Sequence, residues 1–146
     1  MTTMEKYKYL EHTADAKFEA YGHNIEEAYQ NAAFAMADII TDTEQIEPKI
    51  KKDISIKSEN RGSLLYDWLE KLLYLLDTEG FLPNIIKVKK ITKKEFGYFL
   101  TATIVGDIYK SKYEIRKEIK SVTYNEMKIE ENKKDKTWKI TAVVDI

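Results

Sequence analysis

The sequence predicts an α+β fold: a single domain, residues 1–146, in which two main helices pack on a mostly antiparallel sheet of about seven strands. Three observations predict it. Two segments carry apolar residues at helical spacing, most of the rest alternates apolar with polar, and the alternating segments beyond Pro83 follow one another without a helix between them. At 146 residues, with 43% hydrophobic and 34% charged, the chain has the size and balance of one globular unit. Five Gly and two Pro leave little room for long loops.

Taken in order, Tyr7 to Leu10 reads as a short strand, and Glu11-His12-Thr13-Ala14-Asp15 breaks it with small polar residues that form a loop. Phe18, Ala20 and Gly22 alternate with Lys17, Glu19 and Tyr21, a second strand ending at Gly22-His23-Asn24. A helix then begins with Asn24 as its cap and Glu27 at the capping-box position, and Ile25, Ala28, Ala32, Met36 and Ile39 or Ile40 form its apolar stripe. Residues 41–48 are turn-prone. Ile50, Ile54 and Ile56 suggest a third strand, closed by Asn60-Arg61-Gly62-Ser63. The second helix runs from about Ser63 to Glu79 on Leu65, Trp68, Leu69, Leu72, Leu73 and Leu76, with Gly80 placed for a left-handed stop. Strands follow at 85–92, 98–109, 121–130 and 137–146, with hairpin tips at Lys93–Gly97 and 131–136. The stretch 110–120 fits either a helical turn or an irregular crossover.

Composition excludes several chemistries. The chain has no cysteine and two histidines, so thiolate nucleophiles, disulfides, iron-sulfur clusters and Cys/His zinc sites are ruled out, and any metal must be held mainly by oxygen. Lys+Arg at 24 against Asp+Glu at 25 gives a net charge of −1, without the global positive field expected of a nucleic-acid binder. No apolar run is long enough to span a membrane, and the first residues look like neither a secretory leader nor a transit peptide, so a cytoplasmic location without membrane association is expected.

Several segments, taken together and in order, resemble the archease family. They are Leu10-Glu11-His12-Thr13-Ala14-Asp15, Gly22 through the helix carrying Glu26-Glu27-Ala28, Thr41-Asp42-Thr43, Glu47-Pro48, Leu64 through Tyr74, Ile119-Lys120-Ser121-Val122-Thr123-Tyr124, and the final Val144-Asp145-Ile146. The resemblance spans almost the whole chain. It implies an accessory protein, not itself an enzyme, that activates the tRNA-splicing RNA ligase joining a 2′,3′-cyclic or 3′-phosphate end to a 5′-hydroxyl end. Activation would promote guanylylation of the ligase and its multiple turnover. The implied partners are that ligase, tRNA indirectly through it, and guanine nucleotide at the complex. The implied cofactor is a divalent cation, Ca²⁺, Mg²⁺ or Mn²⁺, held by Asp15, Asp145 and Ile146, the last through backbone or terminal-carboxylate oxygen.

The residues lend that set physical sense: anionic groups brought together repel unless a cation neutralises them, and an all-oxygen set favours a hard ion over zinc. Otherwise Asp145 and the terminus are simply solvated and Asp15 caps a turn. His12 is read as an imidazole that orients Asp15 or donates to a backbone carbonyl, with a metal-dependent phosphoesterase or nuclease built on His12 and the aspartates as the rival function. His23 is a turn residue. Lys120 matches a lysine position of the family and suits a partner or phosphate contact, against the alternative of an exposed strand lysine. Asp67 and Glu70 on the second helix offer an acidic partner surface, or merely face water. Lys87, Lys89, Lys90, Lys93 and Lys94 form a basic hairpin, read as protection of a sheet edge in preference to an RNA contact. The chain departs from the family pattern at Asn125 and Tyr113, where many members have histidine, and at Lys71, where an acidic residue is frequent.

Overall fold

The computed structural model describes residues 4–11, 15–110 and 112–146. Strand β1 (Tyr7–Leu10) pairs antiparallel with β2 (Asp15–Gly22), Tyr7 opposite Ala20 and Leu10 opposite Lys17. Helix α1 (Ile25–Ile40) starts where Asn24 Oδ1 accepts the Glu27 amide at 2.8 Å. The Glu27 carboxylate reaches back to the amide of His23, at 3.0 Å, so the capping box closes one residue earlier than the sequence spacing suggests. The alanines of α1 let it sit close against a sheet: Ala28, Ala32, Ala33 and Ala35 have no exposed surface.

Strand β3 (Ile50–Ser58) leads into α2 (Arg61–Glu79), whose first turn is closed by a reciprocal capping box between Asn60 and Ser63. Gly80 ends it at φ 69, the left-handed conformation a side chain resists. Leu64, Leu65, Trp68, Leu69, Leu72 and Leu73 are buried along it, each worth roughly 1.5 to 3 kcal/mol before entropy is counted. The long hairpin of β4 (Phe81–Lys94) and β5 (Gly97–Ile108) completes one sheet, in the order β3-β5-β4. Strand β4 begins earlier than alternation suggests, running through Pro83. The proline is tolerated because the register shifts between Pro83 and Ile85, at a bulge where its missing N–H costs no ladder bond.

Residues 112–120 are an irregular crossover, not a helix, pinned by Arg116 N to Ile40 O at 2.7 Å and Thr41 Oγ1 to Glu114 O at 2.7 Å. Tyr113, one of the departures from the family pattern, is buried there. Its hydroxyl donates to Asp107 Oδ2 at 2.6 Å and accepts the Glu47 amide at 3.2 Å.

The expected strand 121–130 is two, β6 (Ser121–Val122) and β7 (Lys128–Asn132), both pairing with β8 (Thr137–Asp145). Between them Thr123 caps the β8 edge through Oγ1 to Val143 O at 2.7 Å, and Glu126 turns the chain at φ 55. The second sheet therefore runs β1-β2-β8, with β6 and β7 sharing the far edge of β8.

The architecture is α+β with two helices, as predicted, and among the described residues its eight strands divide between two antiparallel sheets. Helix α1 packs on β2 and β8 of one sheet and on β4 of the other, while α2 packs on β3, β4 and β5 and also on β6 and β7. The helices are clasped by Trp68 Nε1 donating to Tyr29 O at 2.9 Å and Tyr29 hydroxyl to Arg61 O at 2.6 Å.

Candidate functional site

The sheet β1-β2-β8 has an inner face that packs on the helices and an outer face that carries charge beside the buried Val143 and Thr141. Alternation puts Ala16, Phe18 and Ala20 of β2 opposite Val144, Ala142 and Ile140 of β8 on the inner side. The residues between them, Asp15, Lys17 and Glu19, oppose Asp145, Val143 and Thr141 on the outer side.

Asp15, expected in a loop, is the first residue of β2, and its direct cross-strand partner is Asp145. Directly opposed residues of an antiparallel pair hold their Cβ atoms about 4.5–5.5 Å apart, and like charges placed so are destabilising. Both aspartates are half-buried. The next residue, Ile146, packs its side chain against the core. On the other flank Ser121 opposes Asp145, and the Lys120 amide donates to Asp145 O at 2.7 Å. Fold and register thus bring Asp15, Asp145 and Ile146 together at one end of the sheet, with exposed Lys120 next to them.

Two neighbours escaped the sequence reading. Lys17 shares the outer face with Asp15, two residues along, and its ammonium lies 2.9 Å from Glu126 Oε1. The two-residue alternation of β2 could have found Lys17; nothing local in sequence brings Glu126 to it. Thr123, through its bond to Val143, fixes the loop that carries Glu126.

His12 lies outside the described residues, so the structure does not place it. His23 is exposed and pairs with Glu27 through Nδ1 at 2.9 Å. Asp67 and Glu70 lie over β3, where Ser58 Oγ donates to Asp67 Oδ2 at 2.5 Å. Next to Asp67 the rings of Tyr66 and Tyr124 stack at 4.5 Å, and burial, then the charge of Asp67, pushes the Tyr124 phenol upward. Lys71 lays its ammonium over Tyr74, 5.0 Å from the ring centre, and Asn125 is exposed.

Whether this corner suits a cation follows from its donors. Two carboxylates face each other across one ladder, with main-chain oxygen adjoining and a core-anchored backbone beneath; every candidate donor is oxygen, as a hard divalent ion requires. Among the described residues no cluster of three or more His, Asp or Glu side chains could hold a metal, so such a site depends on the main-chain oxygens as well as the two aspartates. No helix of the described residues is long and apolar enough to cross a membrane.

Residues 7–146 match the model of the Archease protein family (MTH1598/TM1083). The chain is 45% identical over 126 residues to Protein archease of Methanothermobacter thermautotrophicus, covering 86% of this chain and 89% of that one. It is 41% identical over 143 residues to Protein archease of Methanosarcina mazei, covering 97% of each. The solution structure of Methanobacterium thermoautotrophicum protein 1598 matches with a TM-score of 0.83 at 40% identity, over 98% of this chain and 100% of that one. A crystal structure from Thermotoga maritima, described as an archease, possible chaperone, matches over 100% of both chains with a TM-score of 0.54; at 22% identity it is similar in fold alone.

Proposed function

This chain belongs to the archease family, and from that premise we propose that it is a cation-dependent activator of a tRNA-splicing RNA ligase, promoting the ligase's guanylylation and turnover and performing no chemistry of its own. The observation that supports the reading is the register that sets Asp15 directly across from Asp145. Two carboxylates opposed across one ladder repel, and a hard divalent ion satisfies both at once. In this reading Asp15, Asp145 and the main-chain oxygens of Ile146 hold the ion. Once bound it supplies positive charge against phosphate oxygens. Lys120 adds an ammonium beside the same corner as a phosphate contact. Reacting groups belong to the ligase, on which tRNA ends and guanine nucleotide react.

The test is guanylylation of the cognate ligase at substoichiometric and equimolar amounts of this protein. The wild type should accelerate label transfer to the ligase and permit more than one ligation per ligase. Asp15→Ala and Asp145→Ala, shown to be folded by circular dichroism, should lose at least the ~10-fold that even outer-sphere losses cost a metal site. Unchanged ligase kinetics with wild type present would overturn the proposal. So would hydrolysis of RNA or phosphoesters by this protein alone with a divalent ion, which is the signature of the rival phosphoesterase.

A further inference from the structure

The three-stranded sheet is covered by helices on one face only, and its open face has an ordered charge pattern. Register places Lys51, Asp53, Ser55 and Lys57 of β3 opposite Val105, Thr103, Thr101 and Phe99 of β5, and these in turn opposite Ile85, Lys87, Lys90 and Thr92 of β4. Lys89 joins the same side, its ammonium 3.7 Å from Asp53, and so does Lys94, its ammonium over the Phe99 ring at 5.1 Å. Lys51, Lys57, Lys87, Lys89, Lys90 and Lys94 thus share one surface with two strand carboxylates, Asp53 and, at the far end of β5, Asp107, which Tyr113 and Lys112 engage. All six are exposed.

Their arrangement is two rails and a floor. The lysines stand on the outer strands β3 and β4, whereas the middle strand offers Phe99, Thr101, Thr103 and Val105, aromatic, hydroxyl-bearing and uncharged. Strands spaced about 4.8 Å apart put the rails roughly 10 Å from each other. Beyond the floor, at the hairpin tip, Phe96 is 77% exposed.

Edge protection, the reading that sequence favours for the β4 lysines, loses its ground here. The outward-facing amides of β4 are already occupied by α1: Val88 N donates to Gln30 Oε1 and Ile91 N to Glu26 Oε2, each at 3.1 Å. A helix laid along the edge blocks strand addition without any lysine. Meanwhile Lys51, Lys87 and Lys90 form no ion pair among the described residues. The net charge of −1 hides this concentration because most acids lie elsewhere, among them Glu26, Glu27 and Asp38 of α1, which has no Lys or Arg, and Asp67, Glu70, Asp77 and Glu79 of α2.

We propose that the open face of β3-β5-β4 binds single-stranded nucleic acid, its phosphates on the lysine rails and its bases against the β5 floor and Phe96. Charge complementarity selects a polyanion, and the flat floor between the rails selects one with stacking bases over an acidic peptide, which has no planar group at each charge. The ammoniums of Lys57 and Lys94 now cover Phe99 at 5.5 and 5.1 Å, and move from ring to phosphate when a base takes their place. The proposal is independent of the cation site, and its test uses neither ligase nor divalent ion.

Fluorescence anisotropy of labelled oligo(rU) and oligo(dT), in EDTA and across a salt series around ~0.15 M, measures it. Wild type should bind with log K falling linearly in log salt, by about 0.7 per phosphate neutralised. Lys57→Gln, Lys87→Gln and Lys90→Gln combined should lower that slope by about 2, and Phe96→Ala should weaken binding about tenfold, the loss of one stacked base. Lys117→Gln, Lys133→Gln and Lys134→Gln combined remove the same charge from other surfaces and should leave the slope unchanged. A preference for one sugar identifies the strand as RNA or DNA. Equal losses in both triple variants would overturn the proposal, as would capture of anionic vesicles or poly-glutamate in place of the oligonucleotides. Self-association of the first triple variant with oligonucleotide affinity intact would also overturn it and return these lysines to edge protection.

Discussion

At the scale of single residues, the Asp15–Asp145 pair makes a prediction that concerns stability alone. With two carboxylates opposed across a ladder, removing one charge relieves repulsion when no cation is present. Asp145→Asn should therefore melt no lower than wild type in EDTA, and higher by up to the equivalent of about 1 kcal/mol. The same variant should lose cation-dependent stabilisation, which in wild type reaches about 2.7 kcal/mol when the free ion is 100 times its Kd. Differential scanning fluorimetry with Ca²⁺, Mg²⁺ and Mn²⁺ reads both. A wild-type melting point indifferent to all three ions would remove the cation. The two aspartates were legible as candidates because an acidic residue closing an apolar run stands out, as does one in a short polar stretch. Their facing was not, because it is set by a pairing of residues 130 positions apart in the chain. A second residue-scale prediction comes from Tyr7 and Tyr9. The Tyr7 hydroxyl donates to Asp38 Oδ2 and Tyr9 to Ala35 O at 2.9 Å. Burial, followed by the Asp38 charge, pushes Tyr9 up to about 12, and burial, followed by the Asp38 hydrogen bond, raises Tyr7 as well. A phenol raised in the folded state favours its neutral form. Its contribution is intact below the unfolded value near ~10 and is lost as pH climbs through the folded one. The melting temperature should fall between pH ~10 and ~12 with tyrosinate absorbance at 295 nm rising in step, and Tyr9→Phe should flatten that fall.

At the scale of elements, what was local in the chain was legible and what was long-range was not. The first helix follows from its cap and periodicity and the second from its periodicity and the left-handed stop at Gly80, while the structure adds the shifted box at Glu27, an α2 start at Arg61 and the Asn60–Ser63 capping box. The alternation of 121–130 hid a break because the signal for it, Tyr124 stacking on Tyr66 of α2, lies across 58 residues. The division into two sheets was likewise invisible, since alternation says which residues share a face and not which strand lies alongside. Bulges belong to this scale too. Where β4 shifts register beside Pro83, Gly106 of β5 lies so close that a Cβ there would collide with the carbonyl of Leu82 and with Pro83. Gly106→Ala should cost about 3 kcal/mol or more, above ordinary overpacking because main chain, not a side chain, must move. Asn60→Ala, which opens the capping box of α2, should cost only about 1 kcal/mol. Urea midpoints of the two variants, at equal m-values, decide the ranking.

At the scale of the whole molecule, the two sheets carry opposite assignments, acidic corner on one and basic face on the other, yet neither can be lost alone. Each helix packs on both sheets, and Trp68 ties them together by donating to Tyr29 O from a fully buried ring. Glu26 and Gln30 of α1 hold the β4 backbone, while Asn31 Nδ2, three-tenths of a turn further round, donates to Tyr21 O of β2 at 2.7 Å. A helix that supplies hydrogen bonds to one sheet and to the other cannot leave one without exposing both. Unfolding should therefore be a single transition. The two tryptophans provide the check, because Trp68 sits between the helices and Trp138 lies on β8 with the Arg61 guanidinium 5.1 Å over its ring. In Trp138→Phe, fluorescence reports Trp68 alone, and its urea midpoint should coincide with that of far-ultraviolet circular dichroism, which averages over all the strands. Trp68→Phe leaves Trp138 as the reporter of the acidic sheet. It should unfold at lower urea, having lost the buried bond to Tyr29, with its own two probes again coincident. Separate midpoints for fluorescence and dichroism in either variant would show that the sheets come apart independently, and that the helix bonds linking them do not bind the acidic corner and the lysine face into one cooperative body.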